Sequence, residues 1–232
     1  TELLCQWGLA SSLVGRTNYC IHPAKALDEM PKVGGTKNPR LKDILAVKPT
    51  LVILERTENT LKIAQELEAA RIPILVLDVT DWKSWIKAYQ LIGQRLHRES
   101  KSKQSIVELK RSIRGRGAKP LKVLILVWKS PWILAGSQSY CGGLVQALGG
   151  RILGNTNKSK SYPQRAPKDL EKLNPDLILL PTEPYPFNER ERQELEKSFP
   201  KSKVAIINGE LLTWYLSRTS MALRYLKRNY FT

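Results

Sequence analysis

Cysteine and histidine are scarce in this chain. Cys5, Cys20 and Cys141 stand alone with no CxxC spacing, so neither a structural zinc site nor a disulfide framework is encoded; one disulfide with one free thiol stays open. Two histidines, His22 and His97, cannot supply a bare-metal site of several imidazoles. A metal would have to arrive inside an organic chelate, with Cys20 or His22 as an optional extra ligand. No apolar run approaches the roughly 20 residues that span a bilayer, and no basic-then-apolar signal segment opens the sequence. There is no GxSxG elbow, and the glycines in GGTKNP and CGGLVQ lack phosphate-loop or dinucleotide spacing, which argues against an enzyme. Aromatics make up only 7% of the residues, and acids are in deficit.

That deficit sets 38 Lys plus Arg against 21 Asp plus Glu, a formal charge of +17. Nucleic acid, an anionic membrane surface or an acidic partner could each answer it. The basic clusters at 110–116, 158–160 and 224–228 carry no interleaved aromatic platform, so a solvated surface is favoured and no nucleic-acid partner is expected. With 42% hydrophobic residues over 232 positions, a real core is within reach, in one large or two small domains.

Residues 80–116 organise the rest. Trp82, Trp85, Ile86, Tyr89, Ile92, Gly93 and Leu96 recur at helical steps, and Ile106, Leu109 and Ile113 resume the pattern after a polar interval. The spacing predicts one long helix, about 50 Å at 1.5 Å per residue, tying two bodies together. Two helices broken near residues 100–102 are the alternative.

On either side, strands alternate with helices. Before it, a helix is expected at 1–10, a strand at 13–16, a helix at 41–47, a buried strand at 51–54 (LVIL), a helix at 60–70 and a strand at 72–77. After it, strands are expected at 121–128, 151–153, 177–180 and 204–207, with helices at 140–148, 168–173, 189–198 and 219–228. This is an α/β chain with parallel sheets in two Rossmann-like lobes. The lobes share a design: Ile44, Val47, Pro49 and LVIL match Leu170, Leu173, Pro175 and LILL. The expected domains are 1–80, a linking helix at 81–116, and 117–232, with a ligand cleft between the lobes.

Ligands of parallel sheets bind beyond the carboxyl ends of the strands. The loops there carry Tyr19, Cys20 and His22; Glu55, Arg56 and Glu58; Lys129, Ser130, Pro131 and Trp132; Glu183, Tyr185 and Phe187; and Glu210, Trp214 and Tyr215, with Tyr162 joining them. Rings and carboxylates therefore collect at one edge of each lobe. Each has a plainer reading, in which Trp132, Trp214 and Tyr215 cap the cores and Glu183 and Glu210 cap helices.

The segments TELLCQWGL, VGRTNYCIHP, VGGTKNPRLKDILAVKPTLVIL, IPILVLD, PWILAGSQSYCGGLVQALGG, YPQ, DLEKLNPDLILLPTEPYPF and GELLTWY occur in order over nearly the whole chain. Together they resemble the helical-backbone (class III) substrate-binding proteins of ABC importers, the cobalamin-binding members above all. The resemblance implies an extracytoplasmic, monomeric receptor, not an enzyme and without an intrinsic cofactor. It would clasp a corrinoid, or alternatively a ferric siderophore or haem, and pass it to a membrane permease. It also implies that Tyr19 contacts the corrin and that Tyr162 and the Trp214 region supply further walls. Glu55 stands where such a receptor has a tryptophan, and Thr36 falls on another aromatic contact position.

Two departures accompany the resemblance. Lys42 and Lys168 occupy the permease-docking positions that usually hold glutamates, with Asp43 and Asp169 beside them. Docking is then expected to be absent or charge-reversed, which opens a sensor or scaffold role as a further alternative. The sequence also begins at the family's first helix, so a preceding strand and an export signal are expected to be missing.

Overall fold

The computed structural model describes residues 1–114, 120–154 and 161–231. The basic cluster at 158–160 and the end of the one at 110–116 lie outside them. The chain divides into two compact units, Thr1–Asp78 and Val79–Thr232.

The first unit runs α1 (Glu2–Gln6), a 3-10 turn (Ala10–Ser12), α2 (Ala24–Leu27), α3 (Leu41–Ala46), β1 (Val52–Glu55), α4 (Leu61–Ala69) and β2 (Ile74–Leu77). The strands pair in parallel, with Val52 opposite Ile74 and Glu55 opposite Leu77. Ile44, Leu54, Ile63 and Leu67 form the core, with Val33, Leu41, Val52 and Ile74 packed against them. Thr60 caps α4 by accepting the Ile63 N–H.

The strand expected at 13–16 does not form. Only Arg16 bridges to Lys32, because no longer neighbour offers it a ladder. Nor is LVIL covered on both faces as expected, since Val52 and Ile53 remain half-buried.

The second unit opens on α5 (Trp82–Arg95), whose Asp81 and Ser84 form a capping box. The single long helix is not observed. α5 ends at Arg95, and α6 (Glu99–Ile113) begins after three intervening residues, a few positions before the expected alternative break. The physical cause is a Schellman motif. His97 adopts a left-handed φ of 52°, and the Arg98 N–H donates to the Gly93 carbonyl at 2.7 Å, six residues closing the turn. α6 then packs against α5: a Cβ on Gly93 would lie 2.6 Å from that of Ser102, and the Ser102 hydroxyl donates to the Tyr89 carbonyl at 2.8 Å. Both helices belong to the second unit.

There follow β3 (Lys122–Trp128), β4 (Trp132–Leu134), α7 (Tyr140–Ala147), β5 (Arg151–Ile152), β6 (Gln164–Arg165), α8 (Pro167–Glu171), β7 (Leu177–Pro181), α9 (Glu189–Ser198), β8 (Lys203–Ile207), α10 (Gly209–Thr213) and α11 (Thr219–Tyr230). The sheet order is β6-β4-β3-β7-β8, with β5 beside the start of β3. β3, β5, β7 and β8 are parallel, while β4 and β6 run antiparallel; these short strands were not expected. β7 is buried throughout and β3 over most of its length, as near-continuous apolar runs require when both sheet faces are covered. Leu124, Leu126, Ile178, Leu180 and Phe199 belong to one core cluster.

The internal repeat survives in backbone detail. Ile44 and Leu170 are both buried, and the residue before each proline, Lys48 and Asn174, has a left-handed φ of 47° and 46°.

Gly93 tests the helix break by sign. In an uninterrupted helix, Gly93→Ala would stabilise by about 1 kcal/mol. Packed against Ser102, it should instead destabilise by about 1–3 kcal/mol in urea unfolding.

Candidate functional site

In the second unit, parallel pairing places the loops after β3, β7 and β8 on one sheet edge. There Trp132 stacks on Phe187 (centroids 6.3 Å apart, planes at 4°), Phe187 meets Tyr185 at 4.6 Å, and Tyr185 meets Trp128 edge-on at 5.6 Å. Four rings, from the end of β3, the start of β4 and the loop after β7, thus form one wall. Phe187 is buried and anchors it, whereas Trp128 is 41% exposed. Lys129 lies 5.8 Å from the Trp132 centroid and is held by Glu194 at 2.7 Å and Glu191 at 3.4 Å. The Glu194 hydrogen bond raises the Lys129 pKa, so the ammonium is kept charged and already paired.

Trp128, a member of this wall, was not among the expected candidates. It ends an apolar strand and so reads as core. Its position at the carboxyl end of β3 was the available signal.

The expected acids on this edge are engaged in structure. One Glu183 oxygen accepts from the Thr213 hydroxyl (2.7 Å) and the Trp214 indole N–H (2.6 Å), which clips the loop after β7 to α10. Gly209 permits that approach, since a Cβ there would fall 2.2 Å from Glu183 Cγ. Glu210 pairs with Arg218 at 2.6 Å, and the Arg218 guanidinium lies 5.0 Å from the Trp214 ring centroid. Trp214 is therefore held at both its N–H and its ring. Tyr215 packs edge-on against Tyr140 at 6.0 Å. Glu183 and Glu210 therefore bind side chains where the plainer reading had them capping helices. Tyr162, on the segment leading to β6, is exposed.

In the first unit, Tyr19 is 65% exposed. Behind it, the Cys20 thiol lies 3.3 Å from the Thr17 hydroxyl, and the Cys20 carbonyl accepts from Arg16 at 2.9 Å. His22 is half-buried before a cis-proline. Cys20 and His22 belong to no group of three or more metal-capable side chains among the described residues.

Glu55 closes β1 and is only 3% exposed. One carboxylate oxygen accepts from the Thr57 N–H (2.7 Å), the Thr57 hydroxyl (2.6 Å) and the Glu58 N–H (2.8 Å). The other is buried without a hydrogen-bond partner among the described residues. Burial raises its pKa against the pull of those bonds. Glu55 therefore orders a turn where an exposed contact was expected. Thr36 joins the same network: its carbonyl accepts the Asn59 amide at 2.9 Å, and Lys37 donates to the Thr57 carbonyl and pairs with Glu58. Arg56 pairs with Asp78 at 3.0 Å.

Lys42 and Lys168 are exposed on α3 and α8. The neighbouring acids are compensated locally, Asp43 by Arg40 and Asp169 by Lys172.

The family model for periplasmic binding proteins matches residues 1–203, and the chain belongs to that family. Its members are substrate-carrying transport proteins of ABC import, located outside the cytoplasm, and not enzymes; they carry ligands rather than cofactors. No helix among the described residues is long and apolar enough to cross a membrane. In fold the chain is similar to the periplasmic heme-binding protein RhuT from Roseiflexus sp. RS-1 (TM-score 0.80, 17% identity, 98% of this chain and 93% of that one). It is similar to the periplasmic vitamin B12 binding protein BtuF of Vibrio cholerae (0.78, 18%, 97% and 91%). A periplasmic heme binding protein from Pseudomonas aeruginosa is comparable (0.80, 18%, 99% and 88%). No curated protein matches by sequence.

Glu55 yields a pH test. Its folded pKa lies above the ordinary value of about 4.3, so this group's contribution to stability is full below that value and falls as pH rises through the interval up to the raised one. Glu55→Gln keeps one acceptor oxygen and should remove that pH dependence. Glu55→Ala, which strands three donors, should cost about 1–3 kcal/mol throughout. Urea unfolding from acid to neutral pH reads both.

Proposed function

We propose that this chain captures a metal chelate, a corrinoid in the first instance, and delivers it as a monomer to the permease of an ABC importer. The observation that carries the reading is the four-ring wall on the carboxyl edge of the second unit's sheet, with Trp128 exposed. Tyr19 offers a further exposed ring on the first unit. Flat conjugated macrocycles gain most from such surfaces, since stacking adds about 0.5–1.5 kcal/mol per ring pair beyond burial.

Charge favours the corrinoid. Four cations beside these loops are already paired: Lys129 with Glu191 and Glu194, Arg56 with Asp78, Lys37 with Glu58, and Arg218 with Glu210. No surplus positive group among them is left for the carboxylates of haem or an anionic siderophore, whereas the amide-rimmed corrin asks for none. Haem is the second reading, supported by the Tyr19 phenol as an exposed oxygen donor and by the heme-binding proteins of similar fold.

At the permease, the exposed Lys42 and Lys168 are proposed to meet acidic residues, because Asp43 and Asp169 are neutralised by their own neighbours.

Fluorescence titration tests the ligand. Cobalamin should quench tryptophan emission with a Kd below about 100 μM, equivalent to about −5.5 kcal/mol. Trp128→Ala and Tyr185→Ala should each weaken binding about tenfold. If haem binds instead, Tyr19→Phe should change its absorbance spectrum. The reading fails if cobalamin, haem and ferric siderophores all bind more weakly than that limit. Separately, Lys42→Glu with Lys168→Glu should abolish uptake through the cognate permease while leaving ligand affinity unchanged.

A further inference from the structure

The positive charge is not shared between the units. Residues 1–78 hold ten Lys plus Arg against nine Asp plus Glu, a net +1, and the remainder holds 28 against 12, a net +16. Within the second unit, residues 82–114 hold nine basic and two acidic residues.

Helix geometry gathers part of this excess into a stripe. On α6 and its C-cap, Lys103, Lys110, Arg111 and Arg114 follow one another at steps of seven, one and three, opposite the buried Leu109 and Ser102. All four are exposed, and none takes part in an ion pair among the described residues. Val107, 47% exposed, lies on the same stripe.

The surface continues onto α11. Arg224 pairs with Glu108 at 2.8 Å, and Lys227 donates to the Arg114 carbonyl, so the two helices run side by side in the same direction. Met221, 50% exposed, and Arg228 share the α11 stripe with Arg224.

We propose that this α6–α11 face binds a bilayer surface carrying anionic lipid headgroups, with Val107 and Met221 entering the interfacial layer between the cations. Unpaired cations flanking exposed apolar side chains match such an interface in both charge and polarity. Nucleic acid is a poorer match. α6 has no aromatic residue, and Tyr225 and Tyr230 of α11 are turned on each other at 6.3 Å, with Lys203 over the latter ring.

The test is co-sedimentation of the protein with vesicles of phosphatidylcholine alone and of phosphatidylcholine mixed with phosphatidylglycerol. Binding is expected only to the mixed vesicles, with release as salt rises. Removing three charges (Lys103→Gln, Lys110→Gln, Arg111→Gln) should weaken it on the order of 100-fold, at about 1 kcal/mol per cation near the surface. The matched first-unit triple Lys25→Gln, Lys32→Gln, Lys62→Gln should leave it unchanged. Val107→Ser with Met221→Ser should weaken vesicle binding but not residual binding to duplex DNA. Circular dichroism verifies that each variant folds. Equal binding to both vesicle types, equal losses from the two triples, or tighter binding to duplex DNA than to mixed vesicles at the same salt would each overturn the proposal.

Discussion

The backbone of the central strands β3 and β7 is buried with most of their side chains, so the amides and carbonyls there have to find partners inside the protein. The parallel ladder supplies those partners, and it also sets direction. Three strands running one way must release their chains at one edge. The loops carrying Trp132, Tyr185, Phe187 and Trp214 meet there because hydrogen bonding in the sheet leaves no other place for them. The ring wall is thus a consequence of how a buried sheet satisfies its polar groups, and its chemistry is a choice of residue types on loops already positioned.

That separation explains what could be read from the sequence. Continuous apolar runs such as LKVLILVW and LILL mark buried strands, and prolines and glycines mark their limits, so the α/β alternation and the carboxyl edge were legible. The repeat was legible too, because Lys48 and Asn174 occupy the same left-handed turn before a proline. The short antiparallel β4 and β6 were not, since a two- or three-residue strand carries no period. The break between α5 and α6 was hidden for another reason. Its left-handed position is filled by His97 where glycine is usual, and tertiary packing between Gly93 and Ser102 compensates for the strain.

Among the site residues, side-chain type was legible and partnership was not. Glu55, Glu183 and Glu210 lie at or just beyond the expected strand ends, yet each is consumed locally: by the Thr57–Glu58 turn, by Thr213 and Trp214, and by Arg218. A carboxylate beside backbone donors or an indole N–H satisfies them first, because a buried donor left unpaired is costly. Trp128 and Tyr19, by contrast, keep exposed surface. The same accounting separates the two faces of the second unit. Lys129 and Arg218 beside the loops are paired, while Lys103, Lys110 and Arg111 on α6 take part in no ion pair among the described residues.

The central claim is that a chelate lies on the ring-bearing loops. Hydrogen–deuterium exchange with and without cobalamin tests it most directly. Slowed exchange is expected in peptides covering 17–22, 128–132 and 182–187, with α6 and α11 unchanged. Protection confined to α6 and α11, or none at a saturating concentration, would contradict the account.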